Sequence, residues 1–179
     1  MPDVKRIVFT FITIFVVPLL FFVFLELSLK VLGVGTSFDY FHEIEINGQP
    51  HFQENPDFAD QFYPPSLNIG PRENTFAVER SPELIRVYVL GGSAAMGFPL
   101  RNHGLDRLLA TQLKAAVPAR EIEVINTAMT SVNSHVVYAV AKSIPEDSAD
   151  FAVILRGNNE VVGPYGPGTF KQNFLANIT

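Results

Sequence analysis

Three short runs of glycine, serine and asparagine hold the side chains of this sequence best suited to chemistry. The first is Gly91-Gly92-Ser93, which ends the apolar run Val87–Leu90. The second runs from Asn126 to His135 and includes Thr130, Ser131 and Asn133. The third runs from Arg156 to Thr169 and includes Gly157, Asn158, Asn159 and Glu160. A serine held where a strand turns into a helix can act as a nucleophile, its Oγ lifted clear of the backbone. Glycine beside it lets a substrate approach the main chain. An asparagine amide or a free backbone N–H can stabilise the oxyanion formed when such a serine attacks an ester. Each residue also has a plainer reading. Ser93 could cap the helix that follows. Asn126, Asn133 and Asn159 could bond the backbone of their own turns, and Glu160 could be a solvated or capping carboxylate.

The elements that must position these residues follow from periodicity. Ile85–Leu90, Glu121–Asn126 and Phe151–Arg156 are β-branched, apolar runs that read as strands. Between them, Gly104–Ala116 carries leucines at helical spacing (Leu105, Leu108, Leu109, Leu113), and Ser134–Ile144 reads as a second helix. Strands alternating with helices predict an α/β protein: a three-layer α/β/α, flavodoxin-like parallel sheet, incomplete at about three strands. In such a sheet ligands bind beyond the carboxyl ends of the strands, which is where all three polar runs fall.

Ahead of this pattern, Ile7–Leu25 contains no charged residue. At about 1.5 Å per residue, a helix of that length crosses a hydrocarbon core. Lys5 and Arg6 precede it, and acidic residues dominate between Lys30 and Arg72. The positive-inside rule therefore predicts a single-pass signal anchor with the chain beyond Leu32 outside the cytoplasm. A cleaved signal peptide is the rival, disfavoured by the length of the run and the lack of an A-x-A-like site. From Gly33 to Glu83 the chain reads as a small connector with a hairpin turning at Asn47-Gly48. The predicted organisation is thus an anchor over 1–32, a hairpin connector over 33–83 and the sheet domain over 84–179.

Composition removes several function classes. The formal net charge is −5 and no basic cluster follows Arg6, which argues against nucleic-acid binding. There is no cysteine, hence no disulfide scaffold and no thiolate metal site. Gly91–Gly97 lacks the G-x-G-x-x-G spacing of a dinucleotide site, and no G-K-[ST] phosphate loop occurs. No metal or organic cofactor is indicated.

Gly91-Gly92-Ser93 and Gly157-Asn158-Asn159-Glu160 resemble the first and third blocks, G-D-S and G-x-N-D, of the SGNH (GDSL-type) hydrolases. With "FYPP", "VLGGSAAMG" and "GNNEVVGPYGPGT", the chain is similar to a membrane-anchored bacterial branch that often carries tetratricopeptide repeats. No such repeats occur in this sequence. The resemblance covers about Arg86 to Gly168. It implies a periplasm-facing esterase or acyltransferase in which Ser93 is the nucleophile. The Ser93 N–H, a backbone N–H at Ser131 and the Asn159 amide would form the oxyanion hole, with Gly157 in the third block and Gly92, Asn126 and Glu160 lining the substrate. The substrate implied is an acyl ester of a glycan, a lipid or a small molecule. Three positions depart from the family: Gly92 and Glu160 replace aspartates, and Thr130-Ser131 stands where a glycine is usual.

The family's base comes from a D-x-x-H block near the end of the domain. No histidine follows His135, so the resemblance leads us to expect an N-terminal fragment that stops before that block. Asp39-Tyr40-Phe41-His42 fits D-x-x-H but precedes the first strand of the sheet. His135 opens the second helix, and His51 and His103 read as loop residues. The rival to an enzyme is a membrane-tethered SGNH-like module that binds a glycan or protein partner without catalysis.

Overall fold

Proline at position 18 is the one helix-breaking residue in the apolar N-terminus, and the backbone adapts around it. The computed structural model, which describes residues 3–35, 37–67, 70–71, 74–157 and 159–166, carries one helix, α1, from Val4 to Val31. It begins at Asp3, whose carboxylate accepts the Lys5 N–H at 3.2 Å, and it widens to a π-helical turn over Ile12–Val16. Pro18 lacks an N–H and its ring crowds the carbonyl four residues earlier; a wider turn there absorbs the misfit without ending the helix. Thr13 and Ser28 hide their hydroxyls against the carbonyls of Phe9 and Phe24. None of its residues is buried, and it is long and apolar enough to cross a membrane. The chain divides into two compact units between Ser37 and Phe38.

In the second unit, β1 (Phe41–Ile46) and β2 (Gln49–Glu54) form the hairpin expected from Asn47-Gly48. Both turn residues have positive φ, 52° and 78°, as a two-residue type I′ turn requires. The sequence reading missed β3 (Thr75–Ala77), which pairs antiparallel with β2. Three residues carry too little pattern to announce a strand. Between β2 and β3, Asn55 caps a 3₁₀ helix, Pro56–Gln61, that buries Phe58 and Ala59.

The second sheet is parallel, with β4 (Leu84–Gly91) between β5 (Glu121–Asn126) and β6 (Phe151–Leu155). A four-residue helix α2 (Ser93–Met96) follows β4. Helix α3 (Leu105–Ala116) leads to β5, and α4 (Ser134–Lys142) leads to β6. Side chains alternate across a strand, so the two helices cover opposite faces. Leu105 and Leu109 of α3 pack with Val89 and Val124, while Val136, Val137 and Val140 of α4 pack with Tyr88, Leu90 and Ile125. The hairpin segment shares that second core. Tyr40, Phe41, Phe58, Phe62, Tyr63 and Phe76 belong to the same buried cluster as Tyr88 and Leu90. Each such side chain contributes about 1.5–3 kcal/mol of transfer free energy, so the segment is welded to the sheet.

One charge lies inside this junction. Arg86 of β4 is 1% exposed and faces Glu123 of β5, with Nε donating to Oε2 at 2.5 Å. Its Nη2 donates to the Ala77 carbonyl at 2.8 Å and its guanidinium lies 4.8 Å from the Phe76 ring centroid. A buried cation needs this pairing to offset its desolvation. It ties β3, β4 and β5 together.

Candidate functional site

The carboxyl ends of the three parallel strands meet at Gly91. In register, Gly91 stands opposite Leu155 at the end of β6. On the other side the chain leaving β5 continues to bond β4, with Thr127 N–H donating to the Val89 carbonyl at 2.9 Å and Met129 N–H to the Gly91 carbonyl at 3.1 Å. Gly91 has φ 157°, and a Cβ there would lie 2.1 Å from the Leu155 oxygen and 2.9 Å from the Ala95 Cβ. Only glycine permits β6 and α2 to close on this point. Ser93, two residues on, sits at the same edge as Ser131, two residues beyond Met129, and Gly157, two beyond Leu155.

The capping alternative for Ser93 fails. Gly92 is the N-cap of α2 (φ −91°, ψ −164°) and Ser93 is the first helical residue, with no side-chain cap bond. Ser93 is half-buried, and among the described residues its Oγ has no hydrogen-bond partner. The same holds for the main-chain N–H of Ser93, for the N–H groups of Thr130, Ser131 and Asn133, and for the side-chain amide of Asn159, while the turn over Thr130 and Ser131 directs the Val132 N–H back to the Met129 carbonyl. The carbonyl of Asn159 accepts the Gly163 N–H at 2.8 Å, which shapes the third loop. Gly157 has φ 135° and open space around it. The first position of that loop's Asn158-Asn159 pair lies outside the described residues.

Ser131 has φ 59°, in the left-handed region that costs an ordinary residue about 1–2 kcal/mol. Its carbonyl accepts the Tyr63 hydroxyl at 2.5 Å. Tyr63 is 3% exposed, and burial pushes its phenol well above the usual tyrosine range, so it stays a proton donor. Sequence reasoning placed Tyr63 in a motif without giving it a task; a tyrosine between Phe62 and Pro64 offers no local sign of a partner 68 residues away.

Two of the expected substrate contacts are otherwise engaged. Asn126 is 3% exposed. Its Nδ2 donates to Asp106 Oδ1 at 2.5 Å and to the Ala95 carbonyl at 3.1 Å, and its Oδ1 accepts the Ala128 N–H at 3.1 Å. It is a buried knot joining α2, α3 and the second loop rather than a group offered to a ligand. Asp106, unremarked in the sequence, holds the other end of that knot. Glu160 pairs with Arg156 at 3.2 Å and accepts the Ser134 Oγ at 2.7 Å and the Ser134 N–H at 3.2 Å. The Ser134 hydroxyl, followed by the Ser134 N–H and the charge of Arg156, holds the Glu160 carboxyl below its ordinary range. Glu160 thus docks the third loop on the start of α4. Asn133, the N-cap of α4, adds a bond from Nδ2 to the Pro164 carbonyl at 2.7 Å.

The histidines lie apart from any such bond to Ser93. His42 Nε2 bonds Gln53 Oε1 across the hairpin at 3.2 Å, and His51 Nδ1 bonds the Gln49 carbonyl. His135 is exposed, its ring edge-on to Tyr165 at 5.5 Å. Among the described residues, none of the histidines shares a hydrogen bond with Ser93. Comparison of the chain with protein-family models, with curated proteins and with solved structures found no match.

Proposed function

We propose that the second unit carries the nucleophile and oxyanion half of an SGNH-type serine hydrolase site on a flavodoxin-like sheet. The single observation that carries this reading is the set of unspent groups at one sheet edge. The Ser93 hydroxyl, the Ser93 N–H, the N–H groups of Thr130, Ser131 and Asn133, and the Asn159 amide are all without a partner among the described residues. Ordinary turns satisfy such groups locally. Left-handed Ser131 supports the reading further, because it stands where the resemblance expects glycine.

In this mechanism Ser93 Oγ attacks the ester carbonyl and its proton passes to a base. The three donors hold the oxyanion, each worth roughly 3–4 kcal/mol in such sites. Collapse breaks the bond to the alcohol, which leaves carrying a proton. Water, or an acceptor alcohol, then attacks the acyl-serine and releases the acid or the new ester, and Ser93 recovers its proton. The resemblance assigns the base to a D-x-x-H block. With Lys5 and Arg6 on the cytoplasmic side of α1, the site faces outward from a bacterial inner membrane.

Among the described residues no base is hydrogen-bonded to Ser93, which favours a second reading, a tethered module that binds an acyl ester or glycan without turnover. Labelling with a fluorophosphonate probe separates the two. The first reading expects a covalent adduct on Ser93 in the protein that carries the D-x-x-H base, lost in Ser93→Ala with an unchanged melting temperature because the hydroxyl bonds nothing among the described residues. An adduct that persists in Ser93→Ala removes Ser93 as nucleophile. No adduct in the wild-type protein that carries the D-x-x-H base leaves the binding module.

A further inference from the structure

The loop that follows β5 is held largely from outside the parallel sheet. Three of its carbonyls accept side-chain donors from the hairpin segment: Asn126 from Asn74 Nδ2 at 3.4 Å, Thr127 from Tyr40 at 3.2 Å and Ser131 from Tyr63 at 2.5 Å. The first two act on a stretch already fixed to β4 through Thr127 N–H, Thr127 Oγ1 and Met129 N–H. Among the described residues Ser131 has no such second tether. It lies four residues beyond Thr127, in the costly left-handed conformation, within the run of unspent N–H groups.

We propose that Tyr63 is a positioning residue of the candidate site: its hydroxyl sets the Ser131–Val132 peptide plane and thereby aims the N–H groups of the second loop. This rests on the hydrolase reading for what those N–H groups serve. In a trans peptide the C=O and the next N–H point in opposite directions. Holding the Ser131 oxygen against Tyr63 therefore turns the Val132 N–H to the far side, toward the Met129 carbonyl, and keeps closed the turn over Thr130 and Ser131 that presents their N–H groups. Phe62 and Tyr63 are both buried, so the ring that carries the hydroxyl is itself fixed by the core. Without the hydroxyl, the peptide on either side of Ser131 is free to rotate out of the left-handed state, and the donors lose their common aim. The "FYPP" tyrosine thus makes the juxtamembrane segment part of the site.

Tyr63→Phe removes one oxygen and keeps the ring. Tyr88→Phe is the matched control, since it deletes another buried hydroxyl, bonded to Ser148 Oγ at 3.0 Å. Fluorophosphonate labelling, in detergent, of the protein that carries the D-x-x-H base would be resolved into a maximal rate and a half-saturating probe concentration. For Tyr63→Phe the maximal rate should fall about tenfold or more, a fraction of the loss on deleting an oxyanion donor outright, with half-saturation unchanged. The ¹H–¹⁵N resonances of Ser131 and Val132 should move or broaden in Tyr63→Phe and stay in place in Tyr88→Phe. Unchanged labelling, or an equal fall in both variants, overturns the proposal. If the wild-type protein carrying the D-x-x-H base takes no label, the hydrolase reading fails and the resonances alone decide: displaced, Tyr63 still positions the loop; unmoved, it does not.

Discussion

Gly91→Ala tests the claim that the three strand ends converge on one crowded point. An alanine Cβ at Gly91 would lie 2.1 Å from the Leu155 oxygen, 2.9 Å from the Ala95 Cβ and 3.1 Å from the Leu155 carbonyl carbon. Two of these three atoms are backbone of β6 and cannot swing aside. The φ of 157° adds strain. Taking about 2 kcal/mol for the backbone conformation and about 2 kcal/mol for overpacking, the loss is about 4 kcal/mol. Gly157→Ala is the internal comparison, because φ is 135° there and nothing lies within 4 Å. It should lose only the conformational part, about 2 kcal/mol. The five tyrosines all lie beyond Phe38 and there is no tryptophan, so tyrosine fluorescence follows unfolding of the second unit alone. With a urea slope of about 1.5 kcal/mol per molar, the midpoints should drop by about 2.7 M and about 1.3 M. A Gly91→Ala midpoint at or above that of Gly157→Ala would refute the close approach of β6 to the Gly91–Ser93 turn.

Glu123→Gln should destabilise the unit by about 2 kcal/mol. Losing the partner of a fully buried charge costs about 3–5 kcal/mol, and Glu123 is 34% exposed, so water recovers part of it; a urea midpoint equal to wild type would sink this. Acid should weaken the fold in a definite window. The Arg86 backbone N–H, at 2.8 Å, and then the Arg80 guanidinium hold the Asp150 carboxyl below its ordinary range, and the Glu160 carboxyl is lowered as well. A carboxylate with a folded-state pKa below its unfolded one stabilises fully above the unfolded value and loses that contribution as pH falls through the folded value. Stability should therefore be flat in these two groups above about pH 5 and decline below about pH 4. In Asp150→Asn the decline should be shallower, as read by midpoints across that range.

The sequence alone determined the elements whose causes lie within a few residues. Asn47-Gly48 specifies its hairpin because both residues accept positive φ. The apolar run around Pro18 specifies one long helix, and the alternation of β-branched and leucine-rich segments specifies parallel strands with crossover helices. That three polar loops would share one edge followed from the parallel arrangement itself. What tertiary structure decided has partners far away in the chain. β3 is a strand only because β2 offers it an edge. Asn126 looked like a ligand contact until Asp106 and Ala95 took its amide. Glu160 became a docking group only through Ser134, and Ser93 proved uncapped because Gly92 takes the cap position. Tyr63 meets Ser131 only because Phe58, Phe62 and Phe76 bury the hairpin segment against Tyr88 and Val136. Turn chemistry and hydrophobic period are local and can be read along the chain, whereas the partner of a buried polar group is chosen by packing, which the chain order does not spell out.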